Sequence, residues 1–362
     1  MHRYSLVFCL ILFFLASACA QNKQDRQLLK KIDDLVQAKY PSLAPGCAVL
    51  VAKGGQVIYK KAFGAANLEL NTPMKPEMVF RIGSITKQYT AIAILQLMEQ
   101  GKLSLQDSLQ QFIKDFPYKG HTITIEHLLT HTSGIIGYDA LDAKIPFILR
   151  MDLPPAQIID TLKKQPLQFT PGSRYNYSNS NYYLLGYIIE IISGKTYKEY
   201  LQQNIFTPLE LSNTYYDDPN LIIPNRVSGY INDNGNYRNA GYLSMSLVYA
   251  AGALASNVED LFKWHQALYA YKLVKKETVE KAFTPYKLTG GQLSEYGYGW
   301  FIKNIKGNKY IAHGGAIDGF RAMELYIPAH DIFIATLINS ENDASTDLAI
   351  EISDLILGKT AV

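Results

Sequence analysis

The chain has 362 residues, 35 Lys+Arg against 32 Asp+Glu, 48% hydrophobic and 12% aromatic residues, and 3 cysteines. This composition excludes collagen-like, disordered and disulfide-framework proteins, and a net charge of +3 leaves no electrostatic footprint for nucleic acid. The length suffices for sizeable buried cores and for about two domains at ~150 residues each.

Residues 1–20 read as a signal peptide. His2 and Arg3 make a short basic start, residues 6–15 are almost uninterruptedly apolar, and Ala16-Ser17-Ala18-Cys19-Ala20 are small. The apolar run is too short to span a bilayer comfortably. Cleavage after Ala20 would leave Gln21 as the new N-terminus, and this route is taken first. Ser17-Ala18-Cys19 also resembles a lipoprotein box, in which Cys19 would carry a lipid anchor, although Ala16 stands where that box usually has Leu. Either route makes the protein an exported one, periplasmic or secreted, with Cys19 its one candidate membrane attachment. Cys9 and Cys19 fall in the leader, so Cys47 is left alone and cannot close an internal disulfide. Its apolar setting, Gly46 to Ala52, reads as a buried strand and the thiol as an inert core group.

Residues 25–40 place Leu28, Ile32, Leu35 and Val36 at helical spacing, and Pro41 ends that helix. Apolar runs at 48–52 and 57–63, separated by Lys53-Gly54-Gly55, predict a hairpin. The middle reads as mostly helical, with segments at 85–98, 181–192 and 258–271, the first two stopping at Gly101 and Gly194. Long loops at 170–180 and 217–240, rich in Pro, Gly, Asn and Tyr, lie between them. Runs at 310–312, 321–327 and 332–338 predict three more strands, and Leu348, Ile352, Leu355 and Ile356 form one face of a last helix. The expected fold is α/β: an antiparallel five-stranded sheet flanked by helices, from about 25–84 and 290–358, with a large mainly helical insertion at about 85–289. Residues 21–362 then form a single unit.

Three groups of residues carry chemistry. In Phe80-Arg81-Ile82-Gly83-Ser84-Ile85-Thr86-Lys87, a serine opens a buried helix, where backbone N–H groups can stabilise an oxyanion. The i,i+3 spacing sets Ser84 and Lys87 on one face, about 5–6 Å apart at Cβ. A serine hydroxyl needs a nearby base, and a desolvated lysine can serve. Taken alone, the pair also reads as a capping serine and a snorkelling lysine. Tyr177-Ser178-Asn179 lies in a polar, aromatic loop ending at a helix, so a phenol and an amide can face a cleft together; with 26 tyrosines in the chain, one such triplet is expected by accident. His313-Gly314-Gly315-Ala316 lies on and beyond a predicted strand, where the glycines let a substrate backbone approach and the Ala316 N–H is a candidate oxyanion donor. His127 and His131 are spaced i,i+4 with His121 nearby, but Leu128 rather than Glu follows His127, so no zinc-protease motif is formed and the histidines read as structural.

Together, in this order, the three groups resemble the serine β-lactamase and penicillin-binding superfamily, and most closely its class C β-lactamase, D-alanyl-D-alanine carboxypeptidase, D-aminopeptidase and serine esterase branch. The stretches 125–134, 251–261 and 296–300 support the resemblance, which covers nearly all of 25–358. It implies Ser84 as nucleophile, Lys87 as its basic partner and Tyr177 as proton carrier. It implies Asn179, Gly315 and Ala316 as substrate-binding positions, with the N–H groups of Ser84 and Ala316 forming the oxyanion hole. His313 stands where β-lactamases carry a lysine; if its imidazole faces the substrate, it is expected to attract a carboxylate only while protonated, below pH 6 to 7. No cofactor and no metal are implied. The expected function is hydrolysis through an acyl-serine, on D-amino-acid peptides or small amides first, then esters, then β-lactams. The alternative is a slow penicillin-binding or sensory protein that acylates without turnover. The expected partner is a small-molecule or peptide substrate.

Overall fold

The computed structural model describes residues 26–117, 120–141, 145, 147–341 and 345–358. The leader expected at 1–20, with Cys19, lies outside the described residues, as does Gln21. Helix α1 (26–39) leads into strands β1 (Cys47–Lys53) and β2 (Gln56–Phe63). The chain then leaves the sheet and forms helices α2 (Thr86–Glu99), α3 (Asn179–Ser193), α4 (Met245–Gly252) and α5 (Val258–Tyr269), among shorter ones. It returns as β3 (Phe301–Ile305), β4 (Asn308–Ile317), β5 (Phe320–Ile327) and β6 (Ile332–Ile338), followed by helix α6 (Ser345–Ile356).

The sheet is antiparallel throughout, in the order β3-β4-β5-β6-β1-β2. It therefore has six strands where the sequence predicts five, and the extra one is β3. Of its residues only Ile302 and Ile305 are buried, too thin an alternation to mark a strand; pairing with β4 across the Lys306-Gly307 turn supplies what its own pattern lacks. The loop expected at 217–240 contains a second departure, a hairpin of Tyr230–Asp233 with Asn236–Asn239. Its strands are polar, and its one signal is the Asn234-Gly235 turn.

Side chains of β1 alternate between two layers. Ala48, Leu50 and Ala52 join the core built with α2 to α5, whereas Cys47, Val49 and Val51 meet Ile32 and Val36 of α1 and Leu348 and Ile352 of α6. Cys47 is a buried thiol of that second layer, outside any disulfide. With helices on both faces, β6 is buried along its whole length, which is why its sequence is one apolar run. Each fully buried Ile or Leu in it contributes about 1.5–3 kcal/mol. No described helix is long and apolar enough to cross a membrane.

A short sheet of Phe80–Arg81, Leu254–Ser256 and Tyr215–Tyr216 ties the segment before Ser84 to the helical part. Buried Asp217 accepts hydrogen bonds from Arg81 and Arg226 beside it, fixing the line along which the chain enters α2.

Candidate active site

Strand β3 pairs with β4 only as far as Ala312, opposite Phe301. From His313 to Ile317, β4 packs instead against the 3-10 turn Gly83–Ile85 that precedes α2. Gly315 permits this approach, because a Cβ there would lie 1.9 Å from the Ile82 carbonyl oxygen. Gly83 has φ 49°, in the left-handed region, and a Cβ on it would meet the Ala316 nitrogen at 3.1 Å. Ser84 thus sits one turn ahead of α2, with the Ala316 backbone beside its own.

Lys87, in the first turn of α2, is fully buried. Its Nζ lies 3.0 Å from Ser84 Oγ, 2.8 Å from Asn179 Oδ1 and 2.7 Å from the Ala251 carbonyl oxygen. That carbonyl is free to accept because it lies in the last turn of α4, beyond which no helical N–H follows; the neighbouring Ala250 carbonyl accepts from Thr90 in the same way. Burial drives the lysine well below its ordinary pKa, and the Asp139 carboxylate opposes this only in part.

Tyr177 lines the cleft together with Ser84. Burial pushes its pKa up, so the phenol is neutral. Lys87 Nζ sits 4.8 Å from the centre of the Tyr177 ring. His131 holds the loop that carries this tyrosine. Its carbonyl accepts from Asn176 N (2.9 Å), its Nδ1 accepts from Ser178 N (3.2 Å) and lies 3.3 Å from Asn181 Nδ2, and its ring packs on Tyr177 at 4.3 Å. The residues on both sides of Tyr177 are therefore tied to one residue, Asn176 through its backbone and Ser178 through its side chain. With Nδ1 accepting, the ring proton belongs on Nε2, and burial keeps the imidazole neutral.

Ser84, Tyr177, Gly315, Ala316 and His313 line one cleft of about 570 Å3. The charge role expected for His313 does not survive in the structure. Its residue is 2% exposed, its Nδ1 donates to the Gly314 carbonyl (2.6 Å), and its Nε2 accepts from the Tyr296 hydroxyl (3.0 Å). Both nitrogens are used inside the protein, and burial with Lys87 nearby lowers the imidazole to about 3. What β4 offers a substrate is its backbone edge at Gly315 and Ala316, not a cation at 313.

Asn179 opens α3 and is shared: Oδ1 accepts from Lys87, while Nδ2 donates to Asp139 Oδ1 at 3.1 Å. Sequence reasoning missed Asp139, an exposed acid in a loop with no motif around it. It also missed the specific parts played by Ala251, Tyr296 and His131, although all three fall in stretches that supported the resemblance. His127 Nδ1 accepts from Thr124 N as part of a helix cap. Among the described residues no group of three or more His, Cys, Asp or Glu is placed to hold a metal ion.

The Beta-lactamase family model matches residues 32–356. Penicillin-binding protein 4* of Bacillus subtilis (strain 168) is 31% identical over 83% of this chain and 70% of its own length. Among solved structures, the octameric penicillin-binding protein homologue from Pyrococcus abyssi superposes with a TM-score of 0.78 at 32% identity, over 92% of this chain and 77% of that one. A D-stereospecific amidohydrolase from Streptomyces sp. superposes at 0.76 with 25% identity, over 93% and 99%. A Ser-Lys-Tyr cluster lining a cleft between an antiparallel sheet and a helical insertion, with a family match across nearly the whole fold, makes this chain a member of the β-lactamase family of serine hydrolases.

Proposed function

We propose that this protein hydrolyses D-amino-acid peptides or small D-amino-acid amides through an acyl-Ser84 intermediate. The observation that carries the chemistry is the set of neighbours around Lys87. Asn179 Oδ1 and the Ala251 carbonyl can only accept, so a neutral amine gives them its two protons and turns its lone pair to Ser84 Oγ. Lys87 takes the Ser84 proton as Oγ attacks the substrate carbonyl carbon. The oxygen that becomes negative is received by the N–H groups of Ser84 and Ala316. The neutral Tyr177 phenol donates its proton to the departing nitrogen, and the Lys87 ammonium beside its ring replaces that proton. Deacylation reverses these transfers with water in place of the leaving group.

The substrate class is supported by the neutral His313, which offers no cation to a β-lactam carboxylate, and by the likeness to a D-stereospecific amidohydrolase. The likeness to penicillin-binding protein 4* supports a second reading, a protein that acylates and holds its adduct. A leader at 1–20 supports export, and mass analysis of the mature N-terminus separates cleavage at Ala20 from lipidation at Cys19.

Intact-mass spectrometry with a fluorophosphonate, a penicillin, and D- and L-alanine amides and peptides tests the proposal. Expected are a fluorophosphonate adduct that Ser84→Ala abolishes and turnover of the D-substrates. An adduct that survives Ser84→Ala places the chemistry elsewhere, and a penicillin adduct held for hours without D-substrate turnover favours the second reading.

A further inference from the structure

Asp139 is an acid hydrogen-bonded to the catalytic cluster that the mechanism above does not use. It sits in the 3-10 turn Tyr138–Leu141, exposed to solvent, with its carboxylate folded over Gly137. Its Oδ1 accepts from Asn179 Nδ2 at 3.1 Å, Asn179 Oδ1 accepts from Lys87, and Lys87 meets Ser84 Oγ. The carboxylate therefore lies at the open end of a hydrogen-bonded row that begins at the nucleophile. Its field reaches Lys87 and Tyr177, both of which it favours in their protonated forms.

The charges around Ser84 are lopsided. The cleft along β4 carries Lys303 and Arg321 and, among its described lining residues, no carboxylate. Lys87 and His313 favour their neutral forms. Asp139, on the Asn179 side, is the carboxylate joined to this cluster through hydrogen bonds, and it is exposed. Asn179 is already committed to Lys87 and Asp139, which leaves it one amide proton for the substrate.

We infer that Asp139 holds a positively charged nitrogen on the acyl half of the substrate, the free amino group of a D-amino-acid amide or of a peptide's N-terminal D-residue. The inference rests on the substrate class proposed above and narrows it: N-acylated substrates lack the cation and forfeit the contact. A charge-assisted hydrogen bond from an ammonium to a carboxylate also orients the acyl half, setting its carbonyl toward the N–H groups of Ser84 and Ala316.

Initial rates on D-alanine p-nitroanilide, N-acetyl-D-alanine p-nitroanilide and p-nitrophenyl acetate test this. Wild type is expected to prefer the free amine over the N-acetyl compound by tenfold or more in kcat/KM. Asp139→Asn keeps an oxygen for Asn179 Nδ2 but removes the charge, and should cut that preference about tenfold, with Asp139→Glu restoring part of it. A wild-type preference near unity, or one unchanged in Asp139→Asn, overturns the inference and leaves the D-substrate reading standing. Cleavage of the acetate ester with no turnover of either D-alanine anilide overturns the substrate reading, and the inference with it.

Discussion

Two buried nitrogen bases lie close to Ser84, the proposed nucleophile, and their surroundings decide which of them responds to pH. Lys87 sits well below its ordinary pKa because burial penalises its ammonium, and it works as a base only when neutral. His313 is lowered to about 3, so its charge does not change between pH 5 and 8. kcat/KM should therefore rise with pH through one limb that belongs to Lys87, and fall again only when Tyr177 ionises, above the usual tyrosine range. The limb should sit at the same pH for neutral and anionic substrates and stay in place in His313→Gln. Lys87→Ala should remove it and cost about 10²–10⁴-fold in rate. pH–rate profiles of the three proteins check this; a limb that moves in His313→Gln would return a titrating role to the histidine. The Ser-x-x-Lys and Tyr-x-Asn spacings were legible as sequence. The neutral state of His313 was not, since it depends on a hydroxyl 17 residues away in the chain.

At the scale of elements, the segment that carries Tyr177 has no regular structure between residue 164 and Ser178, and the turn containing His131 supplies its fixing points. His131 itself has φ 56°, a conformation costly for a side chain of its size, held by the bonds around it. His131→Phe keeps a ring against Tyr177 but removes the acceptor for Ser178 N and Asn181 Nδ2. The loss of buried hydrogen bonds should cost about 1–3 kcal/mol of stability. Urea unfolding measures that cost, and stopped-flow acylation of Ser84 at a temperature where the variant is folded should show kcat at least tenfold lower with KM little changed. An unaltered acylation rate in a destabilised variant would mean that Tyr177 is held by other contacts. The stretch 125–134 stood out in the sequence, where its histidines read as structural, and in the structure His127 accepts from Thr124 N in a helix cap. Its link to Tyr177 is made through space and left no local signal. Strand β3 escaped for a related reason, since its register comes from β4 and not from its own alternation.

Across the whole molecule, the sheet between its two layers of helices buries ionisable groups that set stability against pH. Glu324 lies opposite His313 across β4 and β5, and burial raises its carboxyl to about 8, with the Gln88 amide nearby opposing this only in part. His313 and His265 are both lowered to about 3, and His127 and His131 shift in the same direction. A lowered histidine means that the unfolded chain binds more protons, so its contribution is complete above the unfolded value of 6.5 and is lost as pH falls toward 3. A raised glutamate acts in the opposite sense: its contribution is complete below the unfolded value of 4.5 and is lost as pH climbs to 8. Between 4.5 and 6.5 the histidines outweigh the one glutamate. Above 6.5 the lowered Lys87 acts against the glutamate, since the unfolded chain keeps the lysine's proton where the folded one releases it. Glu324→Gln keeps the shape but cannot ionise, so relative to this variant the protein should lose about 2 kcal/mol of stability between pH 6.5 and 8, at ~1.4 kcal/mol per proton per pH unit. Urea unfolding of both proteins at pH 6.5 and 8 makes the comparison, and an equal change in the two would show that Glu324 does not titrate over that interval.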